Sequence, residues 1–313
     1  MALPRIVFAG TPAFACPALQ VVLRHTRPAA VLTQPDRPAG RGRKLQASPV
    51  KQLARAHDIP VLQPASLREP AAQAALAAVE PGLIITAAYG LLLPRAVLEG
   101  PAHGCWNLHA SLLPRWRGAS PIQQAILAGD FETGVSLMQL DAGMDTGPVR
   151  MTEATAIGEH ETAGELHDRL ADIAAELLDR ALTLLATGHL PEARPQDDAH
   201  ATRAPRIQRD DARIDWQQPA LQLDRQVRAY QPWPIAWGEL AGHDVRIHQA
   251  RPVAAVAGVA SGQIDPQAAA ARTLVVACGD GALAIERLQE PGRRPVTGAD
   301  WLNAHPDASL RHA

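Results

Sequence analysis

Apolar residues in the first half of the chain fall into short, nearly continuous runs. Arg5-Ile-Val-Phe-Ala9, Ala30-Val-Leu-Thr33, Val61-Leu62, Leu83-Ile-Ile-Thr-Ala87, Cys105-Trp-Asn-Leu108 and Val135-Ser-Leu-Met-Gln-Leu140 read as strands buried on both faces. Helix starts recur between them. Thr11-Pro12, Ser48-Pro49 and Ser120-Pro121 each set a hydroxyl at the N-cap and a proline at the first helical position. This rhythm predicts an α/β fold: a mostly parallel, Rossmann-like sheet with ligands at the carboxyl ends of its strands. A longer helix is predicted from Thr162 to Leu185. Thr162-Ala-Gly-Glu165 is a capping box, Leu166, Leu170, Ile173, Leu177, Ala181 and Leu184 recur at helical spacing, and Gly188 ends it.

The pattern then breaks. Residues 191–209 are rich in Pro, Asp, His and Arg with little apolar periodicity, and a linker is expected there. Beyond it, Ala236-Trp-Gly-Glu-Leu240, Val245-Arg-Ile-His248, Thr273-Leu-Val-Val-Ala277 and Ala282-Leu-Ala-Ile-Glu286 are short strand patterns parted by Gly-rich turns. They predict a small all-β antiparallel domain over 210–313, after a first domain over 1–190.

Composition changes this picture in a few places. A chain of 313 residues is long enough for two domains. With 4% aromatic residues, aliphatic side chains must fill most of the core. The net charge of −2 advertises no polyanionic partner, so any nucleic-acid site must be a local basic patch. Arg37, Arg41, Arg43 and Lys44 form one, opposed only by Asp36, in a Gly/Pro-rich segment before the Ser48-Pro49 helix. Such tracts are ordinarily solvated loops. Three scattered cysteines argue against a disulfide framework and for a reducing compartment. No Cys-x-x-Cys or His-Glu-x-x-His spacing indicates a metal. The chain start reads straight into a strand without a signal peptide, and no apolar stretch is long enough for a membrane span. A cytoplasmic monomer is expected.

Chemistry gathers in two segments. Asn107-Leu-His109-Ala-Ser-Leu-Leu-Pro114-Arg-Trp-Arg-Gly118 carries an amide and an imidazole, and Asp141-Ala-Gly-Met-Asp145-Thr-Gly147 carries carboxylates. An amide and an imidazolium can hold a developing oxyanion. A His with an Asp can remove and return the proton of an amine. Together they suit acyl transfer onto an amine. Singly, a His after a strand is ordinarily structural and Asp-Thr-Gly is a capped turn; their coincidence argues for a site.

The two segments resemble the formyltransferase family that uses 10-formyltetrahydrofolate. Phe8-Ala-Gly-Thr-Pro12, Gln34-Pro-Asp-Arg-Pro-Ala-Gly-Arg-Gly-Arg-Lys-Leu45 and Arg228-Ala-Tyr-Gln-Pro-Trp-Pro234 resemble the members that act on methionyl-tRNA. The resemblance spans nearly the whole chain and weakens after Leu240. It implies transfer of the folate's formyl group to the α-amine of methionyl initiator tRNA, for translation initiation, through a tetrahedral intermediate and without a metal. It implies an OB-like barrel at the C-terminus. Asn107, His109 and Asp145 are the expected catalytic residues. Ser111, Leu112, Leu113 and Pro114, with Tyr89, Gly90 and Asp141, are expected at the folate pocket, where Asp141 has an equal claim to be a loop-shaping carboxylate. The basic loop is expected on acceptor-stem phosphates, with Arg41 in direct contact. Arg206, Arg293 and Arg294, with Arg203 and Arg209, are candidates for phosphates further along. Trp106 departs from the family's commoner small aliphatic and is expected on the strand face opposite Asn107.

Three other readings compete. The same trio serves a purine-precursor amine, an amino sugar on a nucleotide, or water as acceptor, but these do not call for the basic loop. An inactive RNA-binding module would not need the trio. An NAD-type oxidoreductase is disfavoured because Phe8-Ala-Gly-Thr-Pro12 is not a Gly-x-Gly-x-x-Gly turn.

Overall fold

Ile6 to Ala9 and Leu83 to Ile85 have no solvent exposure at all, as the apolar runs require. In the computed structural model, which describes residues 2–39 and 44–308, these runs line up in one sheet. Two compact units emerge. The first comprises Met1–Pro121, Glu132–Ala156 and His167–Ala204; the second comprises Ile122–Phe131, Ile157–Leu166 and Pro205–Ala313.

In chain order the first part of the molecule runs β1 (Ile6–Gly10), α1 (Cys16–His25), β2 (Ala30–Leu32), β3 (Arg37–Ala39), β4 (Lys44–Gln46), α2 (Pro49–Ala56), β5 (Val61–Leu62), α3 (Pro70–Ala77), β6 (Leu83–Ala87), α4 (Arg95–Leu98), β7 (Cys105–His109), β8 (Arg117–Gly118), α5 (Pro121–Ala128), β9 (Glu132–Gln139), β10 (Val149–Ala156), α6 (Ala163–Thr187) and β11 (Arg203–Ala204). The main sheet has the order β10-β9-β7-β6-β1-β2-β5. The strands from β5 to β7 are parallel, whereas β9 and β10 are antiparallel additions. β10 was not anticipated. Its sequence, Val-Arg-Met-Thr-Glu-Ala-Thr-Ala, alternates half-buried and exposed positions instead of forming an apolar run.

The predicted helix starts fare differently. The Ser48 hydroxyl accepts from Lys51 N at 3.1 Å and caps α2. Thr162 and Glu165 form the reciprocal capping box of α6, and Gly188 follows that helix with φ +74°. Thr11 caps nothing; its hydroxyl donates instead to the carbonyl of Tyr89 at 3.0 Å, tying the end of β1 to the end of β6. The stretch expected as a linker is also corrected. Arg194 and Val149 exchange backbone hydrogen bonds and β11 pairs with β8, so residues as far as Ala204 belong to the first unit.

The second unit is built on an antiparallel sheet of β12 (Ala236–Leu240), β13 (His243–Val253), β14 (Val275–Ala277), β15 (Ala282–Gln289) and β16 (Val296–Thr297). Its order is β12-β13-β15-β14, with β16 also paired to β15. Helices α7 (Ala220–Ala229), α8 (Pro266–Ala270) and α9 (Gly298–Ala304) accompany the strands. The strand texture gave no warning of α7 and α9, whose Leu223, Val227, Trp301 and Leu302 join Val245, Ile247, Leu283 and Leu288 in one apolar core. Among the described residues no helix is long and apolar enough to cross a membrane, and all three cysteines are free.

Candidate active site

Asn107 and His109 sit two apart on β7 and therefore project from the same face. The parallel register of β6 and β7 sets Thr86 beside Asn107. The Thr86 hydroxyl shares its proton between the carbonyl of Trp106, at 3.0 Å, and Asn107 Oδ1, at 2.8 Å. The amide is thereby oriented oxygen toward the sheet. Its nitrogen makes no hydrogen bond among the described residues, which leaves two N–H donors for a ligand.

His109 is 6% exposed, and both of its ring nitrogens face acceptors. Nε2 lies 2.9 Å from the carbonyl of Trp116, so it carries a proton. Nδ1 lies 3.6 Å from Asp145 Oδ2, an ion-pair distance rather than a hydrogen bond. Oδ2 itself accepts from Gly118 N at 2.9 Å. The other oxygen of Asp145 has no partner among the described residues. An imidazolium at His109 would satisfy the Trp116 carbonyl and the Asp145 carboxylate together.

The loop between His109 and Gly118 is fastened from inside. Ser111 is fully buried and donates to the carbonyl of Arg115 at 2.6 Å. Ser136 on β9 donates to the carbonyl of Ser111 at 2.7 Å and accepts from Leu113 N at 3.0 Å. Ser111 thus fastens the loop through its hydroxyl. Leu112, Leu113 and Pro114 remain half-buried. Gly118 adopts φ +126°, and an added Cβ would collide with the carbonyl of Ala204, so the β8–β11 pairing depends on glycine there.

Asp141 is exposed, and its Oδ1 accepts from Gly143 N at 3.0 Å and from the Thr146 hydroxyl at 2.8 Å. That carboxylate oxygen shapes its own turn. The register with β7 places the end of β9 beside Trp106, so the 141–147 loop leaves from there rather than from the shared carboxyl edge that parallel strands would have given. Gln196 holds the loop, donating to the carbonyls of Asp145 and Gly147 at 2.8 and 2.7 Å. Arg117 Nε donates in turn to Gln196 Oε1 at 3.0 Å.

The chain matches the Formyl transferase model over residues 5–182 and the Formyl transferase, C-terminal domain model over residues 206–306. The chain belongs to the formyl transferase family. The methionyl-tRNA formyltransferase of Xanthomonas campestris pv. campestris is 53% identical to it over 303 residues, covering 97% of this chain and 98% of the relative. Two solved structures share the fold at low identity. An N-formyltransferase from Helicobacter canadensis, in complex with folinic acid and dTDP-3-aminofucose, has a TM-score of 0.66 at 16% identity over 90% of this chain and 99% of that one. A methionyl-tRNA formyltransferase from Clostridium thermocellum has a TM-score of 0.53 at 16% identity over 80% and 93%.

In this member of the formyl transferase family the remaining candidates are spread out. Gly90 is exposed with φ +79°, just past β6. Tyr89 is buried among apolar side chains, and its hydroxyl, without a hydrogen-bond partner among the described residues, has its pKa pushed up to about 12 by that burial. Tyr89 takes part through its carbonyl, which accepts from Thr11 and from Gln34 Nε2. The described parts of the basic segment pair as a hairpin of β3 and β4 instead of an irregular loop. Arg37 Nη2 donates to Gln34 Oε1 at 2.6 Å, while Arg41 and Arg43 lie outside the described residues, as does the side chain of Lys44. Arg203 is exposed on β11. Arg206, Arg209, Arg293 and Arg294 are exposed in the second unit.

Sequence reading missed the supporting residues Thr86, Ser136, Gln196, Gln34, Gln63 and Lys51. None carries a local signal, because each acts across a long stretch of chain. Lys51, 5% exposed on α2, donates to Asp36 Oδ2 at 2.6 Å, and Gln63 donates to Asp36 Oδ1 at 2.8 Å. The hydrogen bond from Lys51, then that from Gln63, holds the Asp36 carboxyl below its ordinary range. A depressed carboxyl stabilises the folded state above the unfolded value, about 3.9, and ceases to do so as pH falls through the folded value. Asp36→Asn should therefore lower stability near neutrality, with the gap to wild type closing at acid pH. Denaturant midpoints measured across that range check this; a gap that widens toward acid contradicts it.

Proposed function

We propose that this chain transfers the formyl group of 10-formyltetrahydrofolate to the α-amine of methionyl initiator tRNA. The observation that carries the reading is the whole-length identity of 53% with the methionyl-tRNA formyltransferase of Xanthomonas campestris. The site residues fit a folate donor. Gly90 is exposed just past the end of β6, and Asn107 keeps an unpaired amide nitrogen.

The bound folate supplies an activated formyl carbon. Asn107 Nδ2, held ready by Thr86, donates to the formyl oxygen as negative charge gathers on it. His109, oriented by Asp145, gives the second donor when its Nε2–H exchanges the carbonyl of Trp116 for that oxygen. The unpaired oxygen of Asp145 takes the proton that the attacking amine sheds, and the His–Asp pair returns it to the leaving nitrogen. Leu112, Leu113 and Pro114 wall the donor pocket. Ser111 and Asp141 act through the loops they fasten.

The two sequence domains divide this work, with catalysis in the N-terminal one and tRNA binding in the C-terminal one. Arg37, Arg41, Arg43 and Lys44 meet acceptor-stem phosphates, with Arg41 at the acceptor end. Arg206, Arg293 and Arg294 add phosphate contacts.

Formyl transfer should be measured with methionyl initiator tRNA, uncharged tRNA, free methionine and water as parallel acceptors. Product on the charged tRNA alone is expected; transfer to another acceptor, or to none, would reject the proposal. Asn107→Ala should lower turnover by about 10²–10³. Thr86→Val should lower it by about tenfold, the worth of one hydrogen bond, while Thr86→Ser restores it. Arg41→Leu should raise the Michaelis constant for tRNA and leave that for folate unchanged; equal kinetics on tRNA would remove this residue from the mechanism.

A further inference from the structure

Three side chains distant in sequence converge in the second unit: His243 at the start of β13, Glu290 just after β15 and His305 just after α9. One ligand atom from each lies within 4.8 Å of the others. His305 Nε2 is 3.0 Å from Glu290 Oε1, and His243 Nδ1 is 3.7 Å from the same oxygen. These distances bracket the edge of about 3.3 Å that donors span around tetrahedral zinc with bonds of 2.0–2.1 Å.

Hydrogen bonding decides what each atom offers. His305 Nδ1 donates to the carbonyl of Trp301 at 2.9 Å, so the proton of the neutral ring is fixed on Nδ1. Nε2 then presents a lone pair toward a carboxylate oxygen at 3.0 Å. Two acceptors in such an approach need a proton or a cation between them. A proton on His305 would account for that pair, but not for the convergence of His243 on the same oxygen.

The surroundings orient all three groups. Trp301 Nε1–H donates to Glu290 Oε1 at 3.1 Å. The Trp301 indole stacks on His305 with ring centroids 4.5 Å apart and meets His243 edge-on at 5.8 Å. Carbonyl and N–H partners of this kind are what hold metal ligands in register. Arg293 Nε lies 3.2 Å from Glu290 Oε2, leaving Oε1 as the converging atom. Glu290 and His305 are 11% and 15% exposed, whereas His243 is 33% exposed and gives an ion a way in.

We propose that His243, Glu290 and His305 form a binding site for a divalent transition metal ion, zinc by preference. Two imidazoles and one carboxylate suit this borderline ion, and three protein ligands leave the fourth position to water. The bound ion would join α9 to the ends of β13 and β15. The absence of short metal-binding motifs in the sequence does not bear on such a site, because its ligands are spread over 63 residues, counting from His243 through His305.

Untagged, chelator-treated full-length protein should be titrated with Zn²⁺ by calorimetry and with Co²⁺ by visible absorption. One equivalent should bind with micromolar or tighter affinity, with the intense cobalt bands of low-symmetry coordination, and saturating zinc should raise the melting temperature. Glu290→Gln and His305→Gln should each weaken binding by at least about tenfold. His243→Gln alters the most exposed ligand and is the variant least able to disturb the fold; it should lose affinity with its unfolding transition in chelator unchanged. No saturable binding by wild type, or wild-type affinity in folded His243→Gln and His305→Gln, would overturn the proposal.

Discussion

The candidate site depends on one constraint: a buried imidazole held between two acceptors. His109 is 6% exposed, with the Trp116 carbonyl at one nitrogen and the Asp145 carboxylate at the other. Neither acceptor comes from the strand that carries His109. Trp116 is delivered by the 111–118 loop, which Ser111 and Ser136 fasten. Asp145 is delivered by the 141–147 loop, which Gln196 and Gly118 hold. Burial removes the water that would otherwise satisfy the ring, so the loops must supply its partners accurately. Much of the local architecture, including the β8–β11 pairing and the left-handed Gly118, serves that requirement.

Legibility in the sequence tracks the distance over which residues act. Asn107 and His109 are visible because they share a strand and a contiguous run, and Asp145 because its run is equally compact. Thr86 is invisible: its value comes from the β6–β7 register, which no single segment encodes. Gln196 reads as linker because its stretch lacks apolar periodicity, yet backbone pairing and side-chain hydrogen bonds tie that stretch into the first unit. β10 escaped because only one of its faces is covered, and α7 and α9 because their flanking strands dominate the pattern of the second unit. Most of the parallel sheet was readable, since strands buried on both faces must be apolar throughout.

The likeness to distantly related solved structures and the close likeness to one kind of enzyme carry different weights. At 16% identity the likeness is one of fold alone, and the Helicobacter canadensis protein that shares it is in complex with a sugar nucleotide. The trio alone therefore cannot name the acceptor. What does so is sequence outside the trio that is retained across the whole length of a relative at 53% identity. The basic segment lies outside the trio, and formyl transfer itself makes no demand for four cations there.

The base of that basic hairpin is tied to the candidate site by Gln34. Its Oε1 accepts from Arg37 on β3, its Nε2 donates to the carbonyl of Tyr89 and its own carbonyl accepts from Gln63. Gly90 follows directly, at φ +79°, and an added Cβ there would collide with Gln34 Nε2. Glycine at this position thus answers two demands, a left-handed backbone and room for the amide that joins the hairpin to the end of β6. Asp36 fixes the same base from the other side through Lys51 and Gln63. A base anchored in this way joins the β3–β4 hairpin to the end of β6 and to α2, with the Asp36 carboxylate inside it paired to Lys51.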